Sequence, residues 1–140
     1  KPQHRFFLNP YPDVRYTRCP DCERMMKKRK RPFVVHVDPH ILLTLNMTAQ
    51  YCPTCDLIIL HQDHVEALLY HAIAPTMPDS LGRDYLVLGT LERAAWQQRP
   101  QDIEFLLANL HDFKEVLIYK RADYGWGPAP ERKKTPPDAS

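Results

Sequence analysis

Four cysteines stand in two C-P-x-C pairs, Cys19 and Cys22 in "TRCPDCER" and Cys52 and Cys55 in "YCPTCDL". The full pattern is C-x2-C-x29-C-x2-C, and no cysteine is left over. A C-x-x-C turn directs two thiolates at one point, and two such turns close a tetrahedron around a single ion. Zinc suits four thiolates, and a site closed by four protein ligands keeps no position for water or substrate. The expected cofactor is therefore one structural Zn2+ on Cys19, Cys22, Cys52 and Cys55. The competing reading is disulfides or free thiols. Paired C-P-x-C units favour metal ligation in a reducing compartment, so the expected location is cytoplasmic.

Directly after the first pair comes the densest charge in the chain: Arg24, Lys27, Lys28, Arg29, Lys30 and Arg31. Residues 1–60 carry ten Lys/Arg against five Asp/Glu, and residues 61–140 carry nine against twelve, which recovers the net charge of +2. A polyanion would choose the N-terminal half. Six phosphate contacts would make affinity strongly salt-dependent, at a log–log slope of about −0.9 per phosphate on duplex DNA. The same run suits an acidic protein surface, or a solvated edge strand whose lysines discourage aggregation.

Other chemistry is sparse. His36 and His40 flank Asp38-Pro39, and His61 and His64 flank Asp63, but neither spacing is a hydrolase motif, and surface histidines beside a helix cap are the plainer reading. Leu88-Gly89-Thr90 is a turn or bulge rather than a phosphate loop. Only four glycines are present, with no nucleophile elbow. The chain reads as a non-enzyme, and no small-molecule substrate is identified. No apolar run approaches the ~20 residues that cross a bilayer. Tyr124 and Trp126, in "DYGWGP", are candidate anchors for a partner's groove.

The elements that must position these residues fall into four spans. Residues 1–12 read as an extended arm, broken by prolines, whose Phe6, Phe7 and Tyr11 dock on the protein's own core. Residues 13–62 hold both cysteine pairs, with strands in "RPFVVHV" and "DLIIL" and a turn at Asp38-Pro39. Residues 63–121 open with a helix over 63–73, where Val65, Leu68, Leu69, Ala72 and Ile73 form a stripe and Asp63 is the expected N-cap with Glu66 three residues on. A β–α–β unit follows over 84–121, with "DYLVLGTL" and "EVLIYK" as strands around a helix striped by Ile103, Leu106, Leu107 and Leu110. Its outer strands suit a parallel crossover, and an antiparallel arrangement is open. Residues 122–140 are a Pro/Gly-rich tail. The fold class is α+β: an N-terminal zinc ribbon of β-hairpins, a helix, and a small β–α–β unit.

The stretch from 16 to 60 resembles a zinc ribbon, with C-P-x-C knuckles at the tips of hairpins and strands between them. Family knuckles usually continue with Gly after the second cysteine; Glu23 and Asp56 hold those places here. "YCPTCDLIILHQDHVEALL" is similar in layout to the zinc-finger module at the front of certain bacterial antitoxins. Their DNA-binding part is a following helix-turn-helix, which the β–α–β pattern here does not match. The cysteine spacing also resembles that of rubredoxins, which implies iron and electron transfer, but their acidic character and Gly-containing knuckles are missing. Together the features imply a zinc-ribbon adaptor or regulator that contacts nucleic acid through residues 24–31. An accessory subunit of a larger assembly, anchored by its terminal arms, is the alternative, and a rubredoxin-like carrier is a distant third.

Overall fold

The computed structural model describes residues 2–98 and 102–119. In chain order the elements are β1 (Arg5–Asn9), β2 (Lys27–Val37), β3 (Ile41–Cys52), β4 (Leu57–His61), α1 (Gln62–Ile73), a 3-10 turn (Pro78–Ser80), β5 (Tyr85–Thr90), α2 (Arg93–Trp96), α3 (Ile103–Asn109), β6 (His111–Asp112) and β7 (Glu115–Leu117). Seven strands and three α-helices among the described residues make the chain mixed α+β, as its pattern predicts. The chain forms two compact units. The span 13–62, read from sequence as one ribbon, contributes to both, because the long strands β2 and β3 run through each.

One unit takes in Lys30–Met47 and Val65–Phe113. Its strands follow the order β6-β5-β2-β3. Phe33–Val37 pairs antiparallel with β5, with a register shift between Val34 and Val35 opposite Gly89 and Val87. Gly89 is therefore at a bulge, and a Cβ there would stand 2.1 Å from the His111 carbonyl oxygen, so only glycine admits β6. Val34, Leu91 and Leu106 form the buried cluster, with Trp96, Phe105 and Leu110 packed on it. On α1 the buried residues are Val65, Leu69 and Ile73, spaced by four as one helical face requires. This helix starts one residue before the expected cap: the Asp63 N–H donates to Nδ1 of His61 at 3.2 Å, so His61 fills the capping place. On α3 the Asp102 carboxylate caps the Phe105 N–H at 2.8 Å. Leu106 is buried there, but Ile103 and Leu107 are 51% and 55% exposed, so the expected four-residue stripe narrows to one side.

The second unit takes in His4–Arg29, Thr48–His64 and, among the described residues beyond them, Lys114 to Tyr119. Its strands follow β3-β4-β1-β7. β3 meets β4 as an antiparallel hairpin. β1 runs parallel to β4 on one side and to β7 on the other. The expected arm is thus an inner strand. Phe6 and Phe7 point to opposite faces and are 3% and 1% exposed, so both faces are covered. Burying each is worth about 1.5–3 kcal/mol, which is what draws the segment in. The predicted β–α–β unit does not form, since β5 neighbours β6 and β2 whereas β7 neighbours β1. The order strand–helix–strand is present, but β7 has only three residues, and its pairing is decided by setting Leu117 beside Phe7.

Candidate metal centre

The two cysteine pairs sit in two turns of the second unit. In the first, the Cys19 N–H donates to the Arg24 carbonyl at 2.8 Å and the Glu23 N–H donates to the Cys19 carbonyl at 2.8 Å. Arg18 and Met25 bridge across its base. The Asp21 N–H points at Cys19 Sγ, 3.4 Å away. In the second, Cys52 ends β3 opposite Leu57, and Cys55 lies in the turn between them.

Both turns close through a left-handed residue. Glu23 has φ 67° and Asp56 has φ 54°. These are the positions that zinc ribbons usually fill with glycine, so the backbone takes the glycine conformation without the glycine. A side chain there strains the backbone by roughly 1–2 kcal/mol.

The turns bring all four sulfurs within 4.8 Å of one another. Cys22 Sγ and Cys52 Sγ, from different turns, are 3.5 Å apart. A tetrahedron with metal–sulfur bonds of about 2.3 Å has edges of about 3.8 Å, so this donor set fits one four-coordinate ion. No disulfide joins any of the four cysteines. Among the described residues no other group of three or more His, Cys, Asp or Glu ligand atoms gathers this way.

Burial shapes the thiols. Cys19 and Cys52 are fully buried, and Cys22 and Cys55 are half-buried. Phe7, Met26, Leu57, Ile59, Leu117 and Tyr119 surround them. Desolvation pushes the Cys19 thiol well above its ordinary value and the Cys55 thiol up to about 11. At Cys22 desolvation also opposes the thiolate, but hydrogen bonding from the Arg24 backbone and the neighbouring thiols outweighs it and lowers the value. Burial thus favours the protonated thiol at Cys19 and Cys55, where a binding cation must displace the proton.

Charged side chains brace the turns from outside. Arg5, on β1, donates from Nη2 to Asp21 Oδ2 at 3.0 Å, from Nη1 to the Cys55 carbonyl at 3.3 Å, and from Nε to Glu115 Oε1 at 3.2 Å. One guanidinium thereby touches the first turn, the second turn and β7. Tyr119 donates its hydroxyl to the same Asp21 oxygen at 2.9 Å. Its ring stands edge-on to Phe7 at 4.9 Å, and the Tyr11 hydroxyl donates to its carbonyl at 2.6 Å. Burial, and then Asp21, push the Tyr119 hydroxyl up, so it stays a neutral donor.

A second brace holds Asp56. Its Oδ1 receives His4 Nδ1 at 2.7 Å and the Tyr51 hydroxyl at 3.1 Å, and its Oδ2 lies 2.8 Å from Lys114 Nζ. Partial burial works against the carboxylate, but Lys114 and His4 outweigh it and hold Asp56 below the usual carboxylate range.

Most of the basic run lies on a strand. Arg24 lies in the first cysteine turn, Lys27–Lys30 are exposed on the leading half of β2, and Arg31 is half-buried. Alternation sends Lys27, Arg29 and Arg31 to one face and Lys28 and Lys30 to the other. β5 pairs with β2 only from Phe33 on. Below that point the Pro32 carbonyl accepts from the Leu91 N–H at 3.0 Å and the Lys30 carbonyl from Arg93 Nη2 at 3.2 Å. Tyr124 and Trp126 lie outside the described residues.

Sequence reasoning found the four cysteines and missed their braces. Asp21 lies inside the motif and Asp56 directly follows it, and the non-glycine at 56 was a signal that something else must hold that turn. Arg5, His4, Lys114 and Tyr119 reach the site only through strand pairing, and nothing in their local sequence marks them. No helix among the described residues is long and apolar enough to cross a membrane. Comparison with protein-family models, with curated proteins and with solved structures gives no match.

Proposed function

We propose that the protein is a non-catalytic zinc protein in which one Zn2+ holds the cysteine unit together and the strand beside it contacts nucleic acid. The observation that carries the metal half is the convergence of four free sulfurs within 4.8 Å. Four protein ligands fill a tetrahedral ion, so the metal has no open position for substrate. Its work is folding energy, since the turns cannot hold four thiolates together until a cation joins them. Free thiols of this kind belong to a reducing compartment, and the cytoplasm is the location we assign.

The nucleic-acid half is supported by exposed Arg24 and Lys27–Lys30 on a backbone whose Pro32 and Lys30 carbonyls are already occupied. The side chains, rather than the strand edge, are what this stretch offers a partner. Phosphate contacts of that kind give affinity without sequence choice. The test replaces Lys27–Arg31 by serine and measures binding of a labelled duplex at several salt concentrations. Lost binding with zinc retained supports the reading, and unchanged binding refutes it.

A second reading, an accessory subunit of an assembly, is favoured by Val116 on the outermost strand β7 and Ile118 directly after it, which are 62% and 44% exposed. A stoichiometric protein partner in place of nucleic acid on purification would select it. A rubredoxin-like carrier would declare itself by bound iron.

A further inference from the structure

We propose that metal occupancy is coupled to the seating of β7, with Arg5 and Tyr119 as the positioning residues; this rests on the metal-binding reading above and assigns a regulation to that site. Asp21 is the residue between Pro20 and Cys22, so its position follows the first cysteine turn. A single oxygen of it receives both Arg5 Nη2 at 3.0 Å and the Tyr119 hydroxyl at 2.9 Å. The same guanidinium reaches the Cys55 carbonyl of the second turn at 3.3 Å and Glu115, the first residue of β7, at 3.2 Å. The two turns and β7 therefore share one hydrogen-bonded junction.

Packing ties them further. Tyr119 and Leu117 are 0% and 6% exposed, and both belong to the apolar cluster that encloses the sulfurs. If the turns separate when the ion leaves, Asp21 moves away from Tyr119. The phenol is then left with its hydroxyl buried and unpartnered, which is costly enough to unseat it. Coupling of this kind is reciprocal: whatever loosens β7 weakens the metal by the same factor.

The test uses the full chain, zinc-loaded and chelated, with amide hydrogen exchange read by mass spectrometry. Chelation should speed exchange over 115–119 by about tenfold or more, while amides of the β2–β5 ladder change little. Equal exchange over 115–119 with and without zinc overturns the coupling. Tyr119→Phe keeps the ring and removes only the hydroxyl. It should weaken zinc about two- to tenfold in a chelator competition, and speed exchange over 115–119 in the loaded protein by a similar factor. A lower melting temperature with zinc affinity unchanged would mean that Tyr119 is merely structural, and the coupling fails. A wild-type chain that takes up no zinc removes the metal reading and the coupling together. Zinc uptake with β7 indifferent removes the coupling alone.

Discussion

Asp56 Oδ1 lies 2.7 Å from Nδ1 of His4, although 52 residues separate them. The contact explains how an aspartate occupies a left-handed turn position at φ 54° beside a metal ligand. His4, Tyr51 and Lys114 hold the carboxylate, and the carboxylate holds the turn. Lys114 is half exposed, so solvent screens its share, and the more buried His4 contributes more of the restraint. Asp56→Ala should cost about 2 kcal/mol of stability, because it loses the partners and keeps the strain. Asp56→Gly should cost about 1 kcal/mol less than the alanine variant, since glycine adopts this backbone freely. Thermal denaturation of both loaded variants checks this, and equal melting temperatures would contradict it.

Glu23 makes the complementary case. It is exposed at φ 67°, so the same strain is present there. Glu23→Gly should raise stability by up to about 1 kcal/mol. A fall of that size in the melting curve would show that the glutamate side chain is needed.

The motif was legible because thiolate chemistry forces its ligands into short, fixed spacings. The α1 face of Val65, Leu69 and Ile73 was legible because burial on a helix repeats every turn. The braces were not. Arg5 and Asp21 are 16 residues apart and Asp21 and Tyr119 are 98 apart, and they meet only because β1 pairs with β4 and β7. A parallel pairing of three residues leaves no periodic trace. The proline-flanked start read as an arm for the same reason: Phe6 and Phe7 are consecutive, which hides the alternation of a strand covered on both faces.

Burial of the thiols gives opposite pH behaviour to the two forms. Without metal, the folded Cys55 thiol titrates at about 11 and Cys19 higher still. Both are raised above the unfolded value of about 8.5, so their contribution is present below that value and is lost as pH climbs toward the folded one. To the extent that the cysteine unit closes without metal, the chelated protein should therefore melt at lower temperature as pH rises from 8 to about 11. The loaded protein should instead lose its metal and its stability as acid restores protons to the ligands. Melting curves of the chelated form from pH 8 to about 11 and of the loaded form from pH 8 down into acid, with metal content measured alongside, check the pair of signs. A chelated form that grows more stable in base would contradict it.

Strand geometry divides the basic run. Lys27 and Arg29 leave one face of β2, and Lys28 and Lys30 leave the other. A duplex docks on one face at a time. Neutralising the contacting pair should shrink the log–log salt slope by about 1.8, and neutralising the other pair should leave it nearly unchanged. Salt titrations of the two double-serine variants check this. Equal effects would mean that the contacts are not set by the strand.

Cys52 is fully buried and belongs to the apolar cluster around the site. Cys52→Ser should abolish stoichiometric metal and unfold the cysteine unit, seen as lost exchange protection over β1, β4 and β7. Protection kept after the metal is lost would mean that the ion does not supply the folding energy.

The central claim is that one ion joins the four cysteines, and elemental analysis of the chain purified without chelator tests it most directly. The account predicts one zinc per chain and four thiols that resist alkylation until the metal is removed. A metal-free chain with four reactive thiols, or one carrying iron and a red colour, would contradict it.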